Sequence, residues 1–200
     1  LMAAEKSFEL TQNLGLPDGV QDPYVCALGG FIVLNIDTKG NVNVTKPKIS
    51  SITRKKFFNN CLFYFTGIKR DSGFFLTSQA HQKVLELKHK TKEIGEEIYQ
   101  AFLNDDLDTF GNLLDLHWQV KKKMSNRMSS DKLDMLYDTA RQAGASGGKI
   151  MGAGGGGFLM FYCPTEDIKI SVQQALERYN MYEMFFKLSD DGARTKIIDL

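Results

Sequence analysis

The sequence predicts an α+β fold, a ferredoxin-like layer elaborated with extra helices and preceded by a separate N-terminal segment. Three observations carry this. From Cys61 onward the order reads strand, helices, strand, glycine turn, strand, helix, strand, then one further strand-like run. The stretch from Gly144 to Gly157, GASGGKIMGAGGGG, holds eight of the eighteen glycines and enters the apolar Phe158-Leu159-Met160-Phe161-Tyr162 directly. The opening residues, Leu1-Met2-Ala3-Ala4-Glu5-Lys6, have helical character but no start signal and no initiating methionine, as expected of the C-terminal part of a longer protein.

The opening helix is expected to stop near Asn13-Leu14-Gly15, where glycine takes the left-handed cap conformation and Pro17 forbids extension. A loop from Pro17 to Pro23 follows. Gly30 to Ile36 is apolar and β-rich, Asp37-Thr38-Lys39-Gly40 reads as a turn, and Asn41 to Val44 alternates, which makes a hairpin. Cys61 to Thr66 is a short strand ended by Gly67. A long helix runs from about Thr77 to Leu103, with Val84, Leu87, Ile94, Ile98 and Phe102 near helical spacing. A second spans Leu107 to Met124. Ser129-Ser130-Asp131 then supplies an N-cap and acidic first turn for a third, Leu133 to Ala143, closed by Gly144. A fourth begins at Thr165-Glu166-Asp167. Met181 to Leu188 and Ala193 to Ile198 read as strands joined by a hairpin turn at Asp190-Asp191-Gly192.

Composition narrows the function classes. A net charge of +1 and a longest basic run of only Lys121-Lys122-Lys123 speak against a nucleic-acid partner. No apolar run approaches the roughly 20 residues that span a bilayer, so no membrane partner is expected. Cys26, Cys61 and Cys163 are odd in number and far apart, which fits reduced thiols in a cytoplasmic protein better than a disulfide framework or a metal motif.

The glycine run is the strongest motif. A linker would be serine-rich and continue as polar sequence, and this run does neither. Gly152 to Gly157 satisfies G-x-G-x-x-G literally, but a dinucleotide fingerprint needs a helix after it, and a strand follows. Gly148-Lys149 is no P-loop either, because Ile150 stands where Ser or Thr is required. Two readings remain: a strand-loop-strand unit whose free backbone N–H groups line an anionic pocket, or a tight bulged hairpin shaped by its neighbours.

Gly147-Gly148-Lys149-Ile150-Met151-Gly152-Ala153-Gly154-Gly155-Gly156-Gly157-Phe158 closely resembles the third signature motif of the GHMP kinases, the galactokinase, homoserine, mevalonate and phosphomevalonate kinase superfamily. Further segments resemble, in family order, the sugar 1-kinase branch typified by D-glycero-D-manno-heptose 7-phosphate kinases. These are Gly19-Val20-Gln21-Asp22-Pro23-Tyr24 with Gly29-Gly30-Phe31, Tyr64-Phe65-Thr66-Gly67 with Arg70 and Ser72, and His117-Trp118 with Lys121. The resemblance implies a GHMP kinase C-terminal domain over 59–200, preceded over 1–58 by the tail of the N-terminal kinase domain.

It implies an ATP-dependent kinase using Mg²⁺, acting on the anomeric hydroxyl of a heptose 7-phosphate-like sugar or sugar phosphate. Asp22 is the implied catalytic base; Gly152, Ala153, Gly154, Gly155 and Gly156 are the implied phosphate-proximal backbone. Gln21, Tyr24, Thr66, Gly67, Arg70 and Lys149 are the implied substrate contacts, with Arg70 and Lys149 equally readable as surface ion-pair members. Trp118 reads as a packing residue between helices. Two departures stand out. The family's ATP-phosphate loop, P-x-x-x-G-L-G-S-S, is absent from the 200 residues, and Pro23 follows Asp22 where a polar residue is expected. The alternatives are another GHMP kinase acting on galactose, fucose or mevalonate, a non-catalytic ferredoxin-like metabolite-binding or regulatory module, and a kinase remnant.

Overall fold

The computed structural model describes residues 1–16, 19–68 and 82–194, which form two compact units. The first comprises Leu1–Lys48 and the described chain end from Lys187; the second comprises Ile49–Phe186.

In the first unit, α1 (Met2–Asn13) ends as its sequence predicts. Gly15 takes φ +71°, and Leu16 N–H reaches back to the Thr11 carbonyl at 3.0 Å, which satisfies an orphan helix acceptor. The loop expected through Pro23 is shorter than predicted, because Gln21 already opens α2 (Gln21–Leu28). Pro23 is the third residue of that helix. Its missing N–H removes nothing there, since the first-turn N–H groups have no intrahelical acceptor. β1 (Val33–Ile36) and β2 (Val42–Thr45) form the predicted antiparallel hairpin, with Ile36 opposite Val42. The Asp37 carboxylate holds the turn by accepting from Lys39 N and Asn41 N, each at 2.8 Å.

The hairpin expected around Asp190-Asp191-Gly192 does not form among the described residues. That stretch docks instead on the end of α2: Gly30 N–H donates to Ser189 O at 2.8 Å and Ala193 N–H to Cys26 O at 2.9 Å. Most of the last predicted strand, 195–198, lies outside the described residues.

The second unit begins with a helix that the sequence did not announce, α3 (Ser51–Asn60), whose cap Ser50 accepts from Thr53 N. β3 (Cys61–Phe65) follows, then α4 (Gln82–Leu103), α5 (Leu107–Lys122), α6 (Asp131–Gln142), β4 (Gly147–Ile150), β5 (Phe158–Tyr162), α7 (Glu166–Glu177) and β6 (Tyr182–Glu183). The sheet runs β4-β5-β3-β6 with every pair antiparallel. That is the ferredoxin-like order, with α4, α5 and α6 standing where a minimal version has one helix.

Caps fall where polar residues offer them. Asp106, Ser130 and Thr165 accept from Thr109, Leu133 and Ile168 N–H groups at the starts of α5, α6 and α7. β6 is shorter than the run predicted from Met181 to Leu188, since only Tyr182 and Glu183 pair with β3.

Alternation divides the sheet. Leu62, Tyr64, Leu159, Phe161 and Cys163 share a core with Trp118 of α5, Leu133, Leu136, Tyr137 and Ala140 of α6, and Val172 and Leu176 of α7. A second aromatic cluster links helices to β5: Phe110 lies 5.3 Å from Phe57, 5.0 Å from Phe102 and 5.4 Å from Tyr162 between ring centroids. Such packing fixes α5 against the sheet edge and so positions the turn that follows β4.

Candidate functional site

The glycine run forms β4, the connecting loop 151–157 and the start of β5. β4 and β5 pair from Gly147 opposite Tyr162 to Ile150 opposite Leu159, and Met151 N–H adds a bond to Phe158 O at 2.8 Å. Glycine is required along β4 for space. A Cβ on Gly147 would lie 2.0 Å from the Gly111 carbonyl oxygen, and one on Gly148 would lie 2.6 Å from Met160 O. In the loop it is required for conformation, because Gly152, Gly154, Gly155 and Gly157 have φ between +70° and +109°.

The loop is tied from below. Gly155 N–H donates to Met128 O at 2.9 Å and Gly157 N–H to Ile68 O at 3.1 Å. Those two donors are therefore committed within the protein and do not line an anion pocket. Met128 and Ile68 escaped sequence reasoning because they act through backbone carbonyls, which carry no residue signature. A Cβ on Gly156 would meet Ile68 O at 2.6 Å, so the loop lies directly on the segment after β3.

Thr66 is buried and donates through both its N–H and its hydroxyl to Gly157 O, each at 2.9 Å. Gly67 follows with φ +70° and open space where a side chain would go. Arg70 lies outside the described residues.

Beside the loop, the Lys121 ammonium donates to Gly152 O. His117 sits one turn earlier on the same face of α5, and Lys149 extends from β4. Burial lowers Lys149 to about 8. Burial, reinforced by the charges of Lys149 and Lys121, lowers His117 to about 3, so this imidazole is neutral near pH 7. Its Nδ1 is buried without a hydrogen-bond partner. Trp118 is 1 % exposed and stands 6.3 Å from Tyr137, a core residue as its sequence position predicts.

The remaining candidates sit in the N-terminal unit. Gln21 and Asp22 are exposed in the first turn of α2, while Tyr24 is buried, and burial raises its phenol. The structure thus gathers Thr66, Gly67, Lys149 and the glycine loop within one unit, and Gln21, Asp22 and Tyr24 within the other.

Residues 98–182 match the family described as GHMP kinases C terminal. The chain is 28% identical over 198 residues to D-glycero-alpha-D-manno-heptose 7-phosphate kinase of Campylobacter jejuni, covering 96% of the chain and 58% of that protein. It is 38% identical over 66 residues to mevalonate kinase of Methanothermobacter thermautotrophicus, covering 33% of the chain and 21% of that protein. A crystal structure of a D-glycero-D-manno-heptose 1-phosphate kinase from Bacteriodes thetaiotaomicron superposes with TM-score 0.74 at 30% identity, covering 98% of the chain and 55% of that structure. The chain thus spans little more than half the length of the two heptose kinases it matches. The matched segment holds α5, α6, β4 and β5, the elements on either side of the glycine loop, and on that ground residues 98–182 have the fold of a GHMP kinase C-terminal domain.

Proposed function

We propose that the chain contributes to an ATP-dependent sugar kinase that phosphorylates the anomeric hydroxyl of a heptose 7-phosphate-like sugar. The observation that carries this reading is a similarity running along 96% of the chain to a heptose 7-phosphate kinase, with the glycine loop built as a close-packed backbone shelf. Phosphoryl transfer asks mainly for positioning and charge neutralisation. The loop supplies shape, since its glycines let a ligand or a second loop approach the backbone. Lys149 supplies positive charge.

Asp22 is an exposed carboxylate at the start of α2, open to a substrate. In this reading its carboxylate accepts the proton of the attacking hydroxyl as the new O–P bond forms and the bond to the departing ADP oxygen breaks. Gln21 and Tyr24 flank it in sequence and would help orient the sugar. Among the described residues no three His, Cys, Asp or Glu side chains gather where a metal ion could be held. No residue here is therefore assigned to Mg²⁺, and no step is routed through it.

The test is ADP release from ATP with free and phosphorylated hexoses and heptoses, and with mevalonate. It is run on this chain and on the longest natural polypeptide containing it. Turnover with a heptose phosphate supports the reading, mevalonate turnover moves it to another GHMP kinase, and none with any acceptor overturns it. In the active form Asp22→Asn is expected to lower kcat by about 10²–10⁴ with little change in ATP affinity. Unchanged turnover removes Asp22 as base.

A further inference from the structure

At the edge of the sheet remote from β4, strand β6 and helix α7 leave a hollow of about 330 Å³ whose lining includes Tyr64, Gln173, Leu176, Glu177, Met181 and Glu183. That size is at the lower end of small-molecule sites. Glu183 stands opposite Tyr64 in the β3–β6 ladder, so the two side chains rise from one face of the sheet. It is the face that α7 covers: Gln173 of that helix donates to both carboxylate oxygens of Glu183, at 3.1 and 2.9 Å. Glu177 lies one helical turn beyond Gln173, on the same side of α7, and so borders the same hollow.

Tyr64 carries an anomaly that packing does not explain. It is 4 % exposed and shares the core with Leu176 and Met181, yet its hydroxyl has no hydrogen-bond partner among the described residues. Unlike the hydroxyl of Tyr162, it is not fully enclosed, so a molecule in the hollow that Tyr64 lines can reach it. Burial and the charge of Glu183 raise this phenol, which therefore keeps its proton. Phenylalanine would fill the same core space without burying an unused hydroxyl.

The charges at the hollow are of one sign. Neither Glu177 nor Glu183 pairs with a cation among the described residues, and the one side-chain partner of Glu183 is the neutral amide of Gln173. That amide leaves lone pairs of the carboxylate open. Arg178, next to Glu177 in sequence, places its guanidinium 5.0 Å from the Tyr179 ring. A metal ion is a poor match, because among the described residues no three His, Cys, Asp or Glu side chains gather. Leu176 and Met181 add an apolar wall, which suits an organic cation.

We infer that the hollow between α7 and β6 binds the ammonium group of a small primary amine, with its hydrocarbon stem against Leu176 and Met181. An alkylammonium has three N–H donors, and the Glu177 carboxylate, the Glu183 carboxylate and the Tyr64 oxygen offer an acceptor for each. Gln173 holds the Glu183 carboxylate in place. The hollow lies at the opposite edge of the sheet from β4 and holds or falls independently of the kinase reading.

The experiment titrates n-butylamine into the chain by calorimetry and follows Tm at pH 7 and fixed ionic strength. Two probes of related shape or charge are run beside it, n-butanol and tetramethylammonium. Butylamine is expected to bind and to raise Tm. Butanol lacks the charge and tetramethylammonium lacks N–H donors, so each is expected to bind about tenfold more weakly or worse. Glu177→Gln, at an exposed position, is expected to weaken butylamine binding about fivefold or more, and Tyr64→Phe about threefold or more. Tyr64→Phe is also expected to raise the Tm of the ligand-free chain, a combination that a packing role alone would not give.

Should Tyr64→Phe fail to fold, Glu177→Gln and the two probe molecules decide. Absence of butylamine binding, equal binding of butanol or tetramethylammonium, or wild-type butylamine affinity in either variant overturns the proposal.

Discussion

Gly147 of β4 lies so close to Gly111 of α5 that a Cβ at position 147 would sit 2.0 Å from the Gly111 carbonyl oxygen and 2.7 Å from Asp115 N. Both of these obstacles are backbone atoms, which no rotamer change can move. The contact holds the edge strand of the sheet on α5 and fixes where the glycine loop starts.

Gly147→Ala is therefore expected to destabilise the chain by about 3 kcal/mol or more, since it overpacks a rigid junction. Gly95→Ala is the matched control: Gly95 lies within α4 with nothing within 4 Å of a Cβ, and the change should stabilise by about 0.5–1 kcal/mol. Urea unfolding of the two variants checks both signs. Equal effects would mean that the junction yields.

Asp115 anchors the same region through its side chain. It accepts from the Tyr137 hydroxyl and from Gln119 at 3.1 Å, and it pairs with Arg141 at 3.6 Å. Tyr137→Phe leaves the carboxylate with two partners and should cost about 1–2 kcal/mol. Asp115→Ala strands a buried phenol and should cost more, about 2–3 kcal/mol. The double variant should be less destabilised than the sum, measured as a double-mutant cycle in urea.

Titration of the chain follows from the two lowered bases. Lys149 binds its proton less tightly when folded, about 8 against its ordinary 10.5, so the unfolded chain holds more protons between those values and stability from this group rises with pH there. Lys149→Met removes this partly buried charge, and its Tm advantage should therefore shrink from pH 8 to 10.5. His117 is lowered from 6.5 to about 3, so stability from this group falls as pH drops through that window, and His117→Asn should flatten the fall. Parallel Tm–pH curves for variant and wild type would contradict either assignment.

How much of this was legible in sequence depends on which atoms act. Caps and turns were readable because Ser130, Thr165 and Asp37 act through side chains with a preferred place. The sheet order followed from the alternation of strand and helix patterns. α3 was not readable: Ser51–Asn60 buries only Thr53, Phe57 and Asn60, too few to draw an apolar stripe. The end of the chain misled because Asp190-Asp191-Gly192 has hairpin chemistry, yet Gly192 serves close packing, where a Cβ would meet Ala27 O at 2.0 Å. At the candidate site the glycine density was plain, whereas the carbonyls that brace the loop were invisible. The approach of Lys149 to His117 depends on how β4 lies along α5, which no local pattern encodes.

Thr66 was expected to contact substrate, and its geometry shows what its hydroxyl already does. Its proton goes to Gly157 O, which also receives Thr66 N–H, and its oxygen accepts from Ile68 N at 3.3 Å. A donor committed in this way fastens the loop to the strand end. Thr66→Ser keeps the hydroxyl and should retain the fastening with a small packing loss. Thr66→Val keeps the shape and removes the bond; because Gly157 O retains the backbone donor, the expected cost is about 1 kcal/mol. Amide hydrogen exchange at Gly155 and Gly157 should quicken in Thr66→Val and not in Thr66→Ser. If both variants exchange like wild type while sugar affinity in the active kinase falls only for Val, the hydroxyl serves the substrate rather than the loop.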